Sequence, residues 1–155
     1  MADIISTDGA FSLPQRVLLA VLMEMMIPAS DEFPSAADPK IFARALERLS
    51  GNQAVVAAGL TAIEDLAKAK RGVAFAELDG PERIDLIDEL KLTERLFTQI
   101  LQAQVISGYY QDDRVLQALG LPTRSPHPGG YDIGATDWSL LDPVRKREPF
   151  YRQDL

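Results

Sequence analysis

The sequence has 155 residues, with 46% hydrophobic and 25% charged residues, which is typical of one globular domain. It has no cysteine and one histidine, His127. Disulfides, a cysteine nucleophile, zinc thiolate sites and Cys-ligated iron–sulfur clusters are therefore excluded within the chain, and a multi-histidine metal site or a histidine-dependent triad is nearly excluded. The net charge of −7 argues against nucleic acid or an anionic membrane as the main partner, because clustered Lys and Arg bind phosphates. These absences favour a binding or structural subunit.

The most apolar run, residues 17–27, predicts a buried first helix. Ser12 fits its N-cap, Pro14 fits its first turn, and Pro28 ends it. The run is about half the ~20 residues that span a bilayer, and Glu24 interrupts it, so no membrane insertion is expected. A targeting segment is the alternative, although the basic region that precedes a signal sequence is missing. The methionine-rich half could also form a partner surface, because methionine adapts to irregular gaps.

The second and third helices are predicted from capping signals and apolar periodicity. Asp38 is a cap followed by the N1 proline Pro39, and the second helix runs to about residue 49. The third helix covers about residues 53–70 and ends at Gly72. The predicted core faces of the two helices are formed by Ile41, Phe42, Ala45, Leu46, Leu49, Val56, Leu60, Ile63, Leu66 and Ala67.

A further helix start lies at residues 79–82, where an Asp cap is followed by proline in the first turn and by Glu at the third position. Apolar residues then recur at helical spacing to about residue 105. Either one long helix covers residues 81–108, or two helices join near Lys91. Gly108 predicts an interruption.

A short last helix is predicted after Asp112 and Asp113, ending at Gly120. Beyond residue 120 the chain holds five of its ten prolines and shows no helical periodicity. Basic and acidic residues balance there, so the charge of −7 belongs to residues 1–120. The sequence therefore predicts an all-α fold: a compact bundle of five or six helices in residues 1–120 and a long irregular C-terminal tail in residues 121–155.

Aromatic side chains distinguish this tail from a typical disordered segment, which is depleted in them. The tail contains the only tryptophan of the chain, and Trp and Tyr are enriched among residues that dominate binding. Three interpretations stay open: the tail wraps its own helical core, docks on a partner, or is disordered. The residues predicted to contact a partner are Tyr109, Tyr110, Tyr131, Trp138, Arg145, Arg147, Phe150 and Tyr151.

No catalytic, cofactor-binding or metal site is predicted. The glycines at positions 129, 130 and 134 lack the spacing of a nucleotide fingerprint. The carboxylates Asp85, Asp88 and Glu89 are most simply the solvated face of a helix. His127 is a loop residue between two prolines, and an interface role is open for it.

Residues 107–115 (SGYYQDDRV) followed by residues 118–120 (ALG) resemble a motif of the gluconate 2-dehydrogenase subunit 3 family, as do residues 141–145 (LDPVR) in the tail. Residues 26–36 (MIPASDEFPSA) resemble the family's segment near the N-terminus, and residues 75–78 and 83–90 resemble the entry to its central helix. The similarity covers roughly residues 20–150, and the order and spacing of the motifs carry it.

The resemblance implies a small helical subunit with no cofactor or catalytic residue of its own. Its larger partner would be a glucose-methanol-choline-type oxidoreductase that carries FAD and oxidises an alcohol or sugar hydroxyl. Many members begin with a twin-Arg export signal, and this sequence contains no such pair. We expect a cytoplasmic complex, or a periplasmic one where a twin-Arg signal has been removed.

The function predicted is therefore that of a non-catalytic small subunit, which stabilises and assembles an FAD-dependent dehydrogenase and could shape access to its active site. A free-standing, chaperone-like helical interaction protein that binds several clients is the alternative. An independent enzyme that uses Asp or Tyr groups is a third possibility.

Overall fold

Four of the helices begin at capping residues that the sequence predicts, namely Ser12, Asp38, Asp79 and Asp112. In a computed structural model of the protein, which describes residues 9–123, 130 and 134–148, Ser12 is the N-cap of the first helix and Asp38 that of the second. The Asp38 carboxylate accepts a hydrogen bond from the Lys40 backbone N–H at 3.1 Å. Asp79 and Glu82 form the predicted capping box, with the Glu82 N–H donating to Asp79 Oδ1 at 2.9 Å.

The chain divides into two units, Met1–Thr123 and Arg124–Leu155, here called the helical unit and the C-terminal unit. No strand occurs among the residues that the structure describes, which confirms the all-α prediction. The described part of the helical unit contains α1 (Leu13–Met26), α2 (Pro39–Ser50), α3 (Gln53–Arg71), a 3-10 turn (Phe75–Glu77), α4 (Gly80–Thr93), α5 (Arg95–Tyr109) and α6 (Asp113–Ala118).

Two helices, not one, occupy residues 80–109. They are separated at Glu94, whose φ of −110° and ψ of 51° lie outside the helical region. The interruption predicted at Gly108 comes one residue later, because α5 ends at Tyr109 and the next helix begins at Asp113. Gly108 faces α2, where an added Cβ would make an ordinary contact of 3.8 Å with the Ala45 backbone.

The core lies where α3 and α5 pack together and where α2 and α4 pack on α5. Gly59 of α3 faces the ring of Phe97 of α5, and a Cβ at position 59 would overlap that ring. Most of the predicted core positions of α2 and α3 are buried, while Leu46 and Leu66 are half-buried. The largest fully buried side chains are Phe75, Phe97, Leu19, Met23, Ile41, Leu49, Leu60, Ile63, Leu86, Leu90, Val56 and Val105.

The described part of the C-terminal unit contains a 3-10 turn, Trp138–Leu141, followed by the short helix α7, Asp142–Arg145. This corrects the expectation that the tail is irregular throughout. Asp137 starts the turn, because its carboxylate accepts hydrogen bonds from the Ser139 N–H at 3.0 Å and the Ser139 hydroxyl at 2.7 Å. An eight-residue helical segment is too short for apolar periodicity to reveal it.

Candidate partner interface

Within the part of the chain that the structure describes, no three His, Cys, Asp or Glu side chains are grouped so that they could hold a metal ion. In the same residues, no helix combines the length and the apolar character needed to cross a membrane. Asp85 and Asp88 lie exposed on α4, where Asp88 pairs with Lys91 at 2.8 Å. His127 lies outside the described residues.

A buried carboxylate, Asp112, organises the start of α6. Its side chain is 0% exposed, and its Oδ1 accepts from the backbone N–H of Arg114 at 3.0 Å and from Arg114 Nε at 2.9 Å. The same guanidinium reaches Asp38 with Nη2 at 2.7 Å and Nη1 at 3.0 Å. Arg114 therefore joins the N-cap of α6 to the N-cap of α2. The sequence predicts both caps but not the ion pair between them.

In this network, each charged group stabilises the ionised form of its partners. Hydrogen bonding to the Arg114 guanidinium lowers the pKa of Asp38 and that of Asp112, against the opposing effect of burial. The two carboxylates in turn raise the pKa of Arg114. The three groups therefore stay ionised at neutral pH. A buried carboxylate such as Asp112 needs a paired charge, and the Arg114 guanidinium provides it.

The adjacent residues Tyr109 and Tyr110 have different environments. The Tyr109 ring is buried, and its hydroxyl donates to the Pro34 carbonyl at 2.9 Å. Burial raises the pKa of this phenol, with further contributions from Tyr110 and Asp112. The Tyr110 ring is exposed and lies perpendicular to that of Tyr109, with the ring centroids 5.4 Å apart. Of the two predicted anchors, the structure places Tyr109 in the core and only Tyr110 on the surface.

Tyr110 borders an apolar groove of about 650 Å³ between the end of α1, α4 and α5. Buried side chains such as Leu22 and Phe97 line it, and the half-buried residues Met25 and Met26 extend it towards solvent. This volume lies in the range of ~300–1,000 Å³ that is usual for binding pockets. The groove includes the methionine-rich end of the first helix, whose residue types also predict a partner surface.

The outer edge of the groove carries two exposed isoleucines. Ile84 on α4 is 56% exposed, and Ile106 on α5 is 37% exposed. The polar residues around the groove are Asp88, Lys91, Thr98, Gln99, Gln102 and Tyr110. Amide and hydroxyl groups thus predominate at its rim.

The described segment of the C-terminal unit also presents apolar side chains to solvent. Trp138 is 63% exposed. Arg145 and Arg147 are exposed as well, and Arg145 Nη1 lies 3.4 Å from Asp142 Oδ1. The exposed apolar residues of this segment, here called the tryptophan turn, are Trp138, Leu140, Leu141 and Val144.

Three of the predicted contact residues, Tyr131, Phe150 and Tyr151, lie outside the described residues. Among the described ones, Trp138, Arg145 and Arg147 belong to one short segment of the C-terminal unit, whereas Tyr110 belongs to the helical unit. The roles of these residues in binding a partner stay predictions. The exposure of Ile84 and Ile106 was not predicted, because the apolar positions of their helices were interpreted as core positions.

The family model described as gluconate 2-dehydrogenase subunit 3 matches residues 14–120, which is more than half of the chain. The protein belongs to this family. The match confirms the resemblance for the helical unit, whereas the tail motif at residues 141–145 lies beyond it. The family is that of a subunit of a dehydrogenase complex, which implies a larger partner. No curated protein and no solved structure matches the chain significantly.

Proposed function

We propose that this chain is a non-catalytic small subunit that stabilises and assembles an FAD-dependent alcohol or sugar dehydrogenase. The observation that carries the proposal is the match of residues 14–120 to subunit 3 of gluconate 2-dehydrogenase. The larger subunit would be a flavoprotein of the glucose-methanol-choline type, and FAD and the reacting groups would belong to it.

The exposed tryptophan turn supports this proposal. Trp138 and its apolar neighbours lie on a segment whose backbone is already held in place by Asp137, so binding would order few additional residues. Trp is enriched among residues that dominate interfaces. The turn would therefore anchor the larger subunit, with Arg145 and Arg147 as polar contacts at its edge.

The role in the reaction would be indirect. A bound small subunit could cover a cleft or hold a loop of the larger subunit close to the flavin, which would change substrate access without contributing a reacting group. Under this proposal, the purified chain alone has neither turnover nor bound cofactor.

Co-expression tests the proposal. A flavoprotein dehydrogenase of the glucose-methanol-choline type from the same organism is produced with and without this chain, and soluble yield, flavin content and activity are measured. We expect all three to fall when the chain is omitted, and a stable complex of fixed stoichiometry when it is present. Unchanged yield, flavin content and activity would overturn the proposal. Recovery of the chain with several unrelated clients would favour the chaperone-like alternative.

A further inference from the structure

A row of three basic side chains follows one face of α2. Lys40, Arg44 and Arg48 are spaced four residues apart, so neighbouring members are separated by about 6 Å along the helix axis. We propose that this row, here called the basic stripe, binds an acidic segment of the larger dehydrogenase subunit. The inference rests on the proposed function and adds to it a second contact, on the helical unit.

Within the part of the chain that the structure describes, no carboxylate forms an ion pair with the basic stripe. Basic residues elsewhere in the helical unit do have such partners: Arg71 Nε lies 3.3 Å from Glu82 Oε1, and Lys91 Nζ lies 2.8 Å from Asp88 Oδ1. Glu47, the acidic residue of α2, is exposed and does not pair with its neighbours in the stripe. Three adjacent cations thus keep their charge available to another molecule, although the chain has 23 acidic residues.

Neutral groups of α5 hold the two arginines of the stripe. Arg44 Nη1 donates to the Gly108 carbonyl at 3.5 Å, and Arg48 Nε donates to Gln104 Oε1 at 3.1 Å. Each contact uses one of the N–H groups of a guanidinium, whose rigid fork matches the geometry of a carboxylate. Both side chains are half-buried and α5 contains no acidic residue. The arginines are therefore oriented before binding, so a partner would order few additional groups.

The geometry of the stripe indicates the chemistry of its occupant. Arginine forms paired, charge-assisted hydrogen bonds with carboxylates. A repeat of about 6 Å matches acidic side chains four residues apart in a helix or two residues apart in an extended segment. Charges farther away than about 8 Å are largely screened at physiological ionic strength, so the overall charge of −7 does not prevent a short acidic segment from binding. A nucleic acid or a membrane would extend beyond the stripe over acidic surface.

The chain's own tail does not match the stripe. Residues 121–155 contain as many basic as acidic residues, and the acidic ones are at least five positions apart. Asp137 accepts a hydrogen bond from the Ser139 N–H at 3.0 Å, and Asp142 Oδ1 lies 3.4 Å from Arg145 Nη1. The tail therefore offers neither an acidic excess nor carboxylates at the spacing of the stripe.

A second copy of the chain is also a weaker candidate. Its closely spaced acidic residues lie on α4, where Glu82 and Asp85 are 3.3 and 3.9 Å from Arg71 and where Glu89 pairs with Lys70. Binding of these residues to the stripe would replace existing ion pairs. An acidic segment of the larger subunit would form new ones.

Charge reversal in the full-length chain tests the stripe. Lys40→Glu and Arg48→Glu reverse charges within it, and Arg95→Glu is the matched control, because Arg95 is exposed at the opposite end of α5 from Gly108. We expect each stripe variant to raise the Kd for the larger subunit about tenfold and to weaken its dependence on salt, and Arg95→Glu to change the Kd less than about twofold. Lys40→Glu should unfold at the wild-type urea concentration, because position 40 is exposed in the first turn of α2, where an acidic residue is favourable.

Carbodiimide cross-linking identifies the occupant, because it joins an amine only to a carboxylate in contact with it. Arg48→Lys keeps the charge of the stripe and introduces an amine, and Arg95→Lys is the control. We expect mass spectrometry to find the amine at position 48 joined to an Asp or Glu of the larger subunit, within a segment whose acidic residues recur every two or four positions. The amine at position 95 should not be joined to that segment.

The outcomes separate the two proposals. A wild-type chain that does not bind the larger subunit would overturn the proposed function, and with it this inference. Wild-type binding that Lys40→Glu and Arg48→Glu leave unchanged at low and high salt would overturn the stripe proposal alone. Failure to recover a cross-link from position 48 to the larger subunit, or recovery of links only to the same chain or to a second copy, would also overturn it.

Discussion

The helical unit and the described segment of the C-terminal unit differ in the burial of their apolar side chains. In the helical unit, most large apolar residues of α2, α3 and α5 are buried against one another. In the described segment of the C-terminal unit, no side chain is buried, and Trp138 is largely exposed. The helical unit also carries the acidic excess, whereas the tail is neutral. One unit is thus built around a core, and the other presents a surface.

This difference separates two kinds of mutational effect. Changes inside the helical unit should alter its free energy of unfolding. Changes in the tryptophan turn should alter binding to the larger subunit and leave the stability of the helical unit unchanged.

Removal of the C-terminal unit gives the largest expected effect. Without residues 124–155, the affinity for the larger subunit should fall by about 100-fold or more, because the tryptophan turn and its neighbouring arginines are removed together. The urea midpoint of the helical unit should stay the same. Isothermal titration calorimetry measures the first quantity and circular dichroism the second. Retained affinity, or a collapse of the helical unit, would break the distinction between the two units.

Gly59→Ala should destabilise the helical unit by about 2 kcal/mol, because the added methyl group overlaps the Phe97 ring. The cost exceeds the ~1 kcal/mol that alanine gains over glycine in a helix. Gly108→Ala is the matched control, since its Cβ would have ordinary contacts of 3.7–3.8 Å. That variant should be equally or more stable in urea unfolding. Equal destabilisation of both variants would argue against the described packing of α3 on α5.

Trp138→Ala should raise the Kd for the larger subunit about 30-fold, which corresponds to about 2 kcal/mol. The control is His127→Ala, for which we expect less than a threefold change. Neither substitution should shift the unfolding of the helical unit. Small and equal effects on the Kd would show that Trp138 does not anchor the partner.

Asp112→Asn should cost about 1 kcal/mol at pH 7, because it removes the charge that Arg114 binds while an asparagine can still cap α6. Since Arg114 lowers the pKa of Asp38 and Asp112 in the folded state, their stabilisation is fully present above the unfolded value of about 3.9 and is lost as the pH falls through the lower folded values.

The wild type should therefore lose more stability than Asp112→Asn between about pH 5 and pH 2. Asp113→Asn, at the exposed neighbouring position, serves as the control and should follow the wild-type curve. Urea unfolding at a series of pH values measures all three. Parallel curves for the wild type and Asp112→Asn would show that the buried carboxylate does not contribute through its charge.

Local signals allowed much of the fold to be predicted. The caps at Asp38, Asp79 and Asp112 and the C-terminal glycines Gly72 and Gly120 are properties of a few consecutive residues, so they can be found without knowing what packs against them. Contacts between distant residues left no such signal. The pairing of Arg114 with Asp38 joins residues 76 positions apart. The close approach of Gly59 to the Phe97 ring depends on how α3 and α5 pack.

The candidate interface shows the same limit. Tyr109 and Tyr110 are identical in type and adjacent, and only the rotation of α5 relative to the core decides which ring is buried. The groove is formed by three helices, so its open side cannot be derived from the periodicity of any one of them. Trp138 was found from its residue type, because a single tryptophan in a polar tail is unusual.

The Arg114 network also has a consequence for the order in which the protein is made. Because Asp38 precedes its partner Arg114 by 76 residues, α2 receives this ion pair only after residue 114 has been synthesised. Domains generally fold as units, and those that are synthesised first fold first. The tryptophan turn follows the helical unit in the sequence, so an emerging chain does not expose Trp138 before that unit has the residues it needs to close.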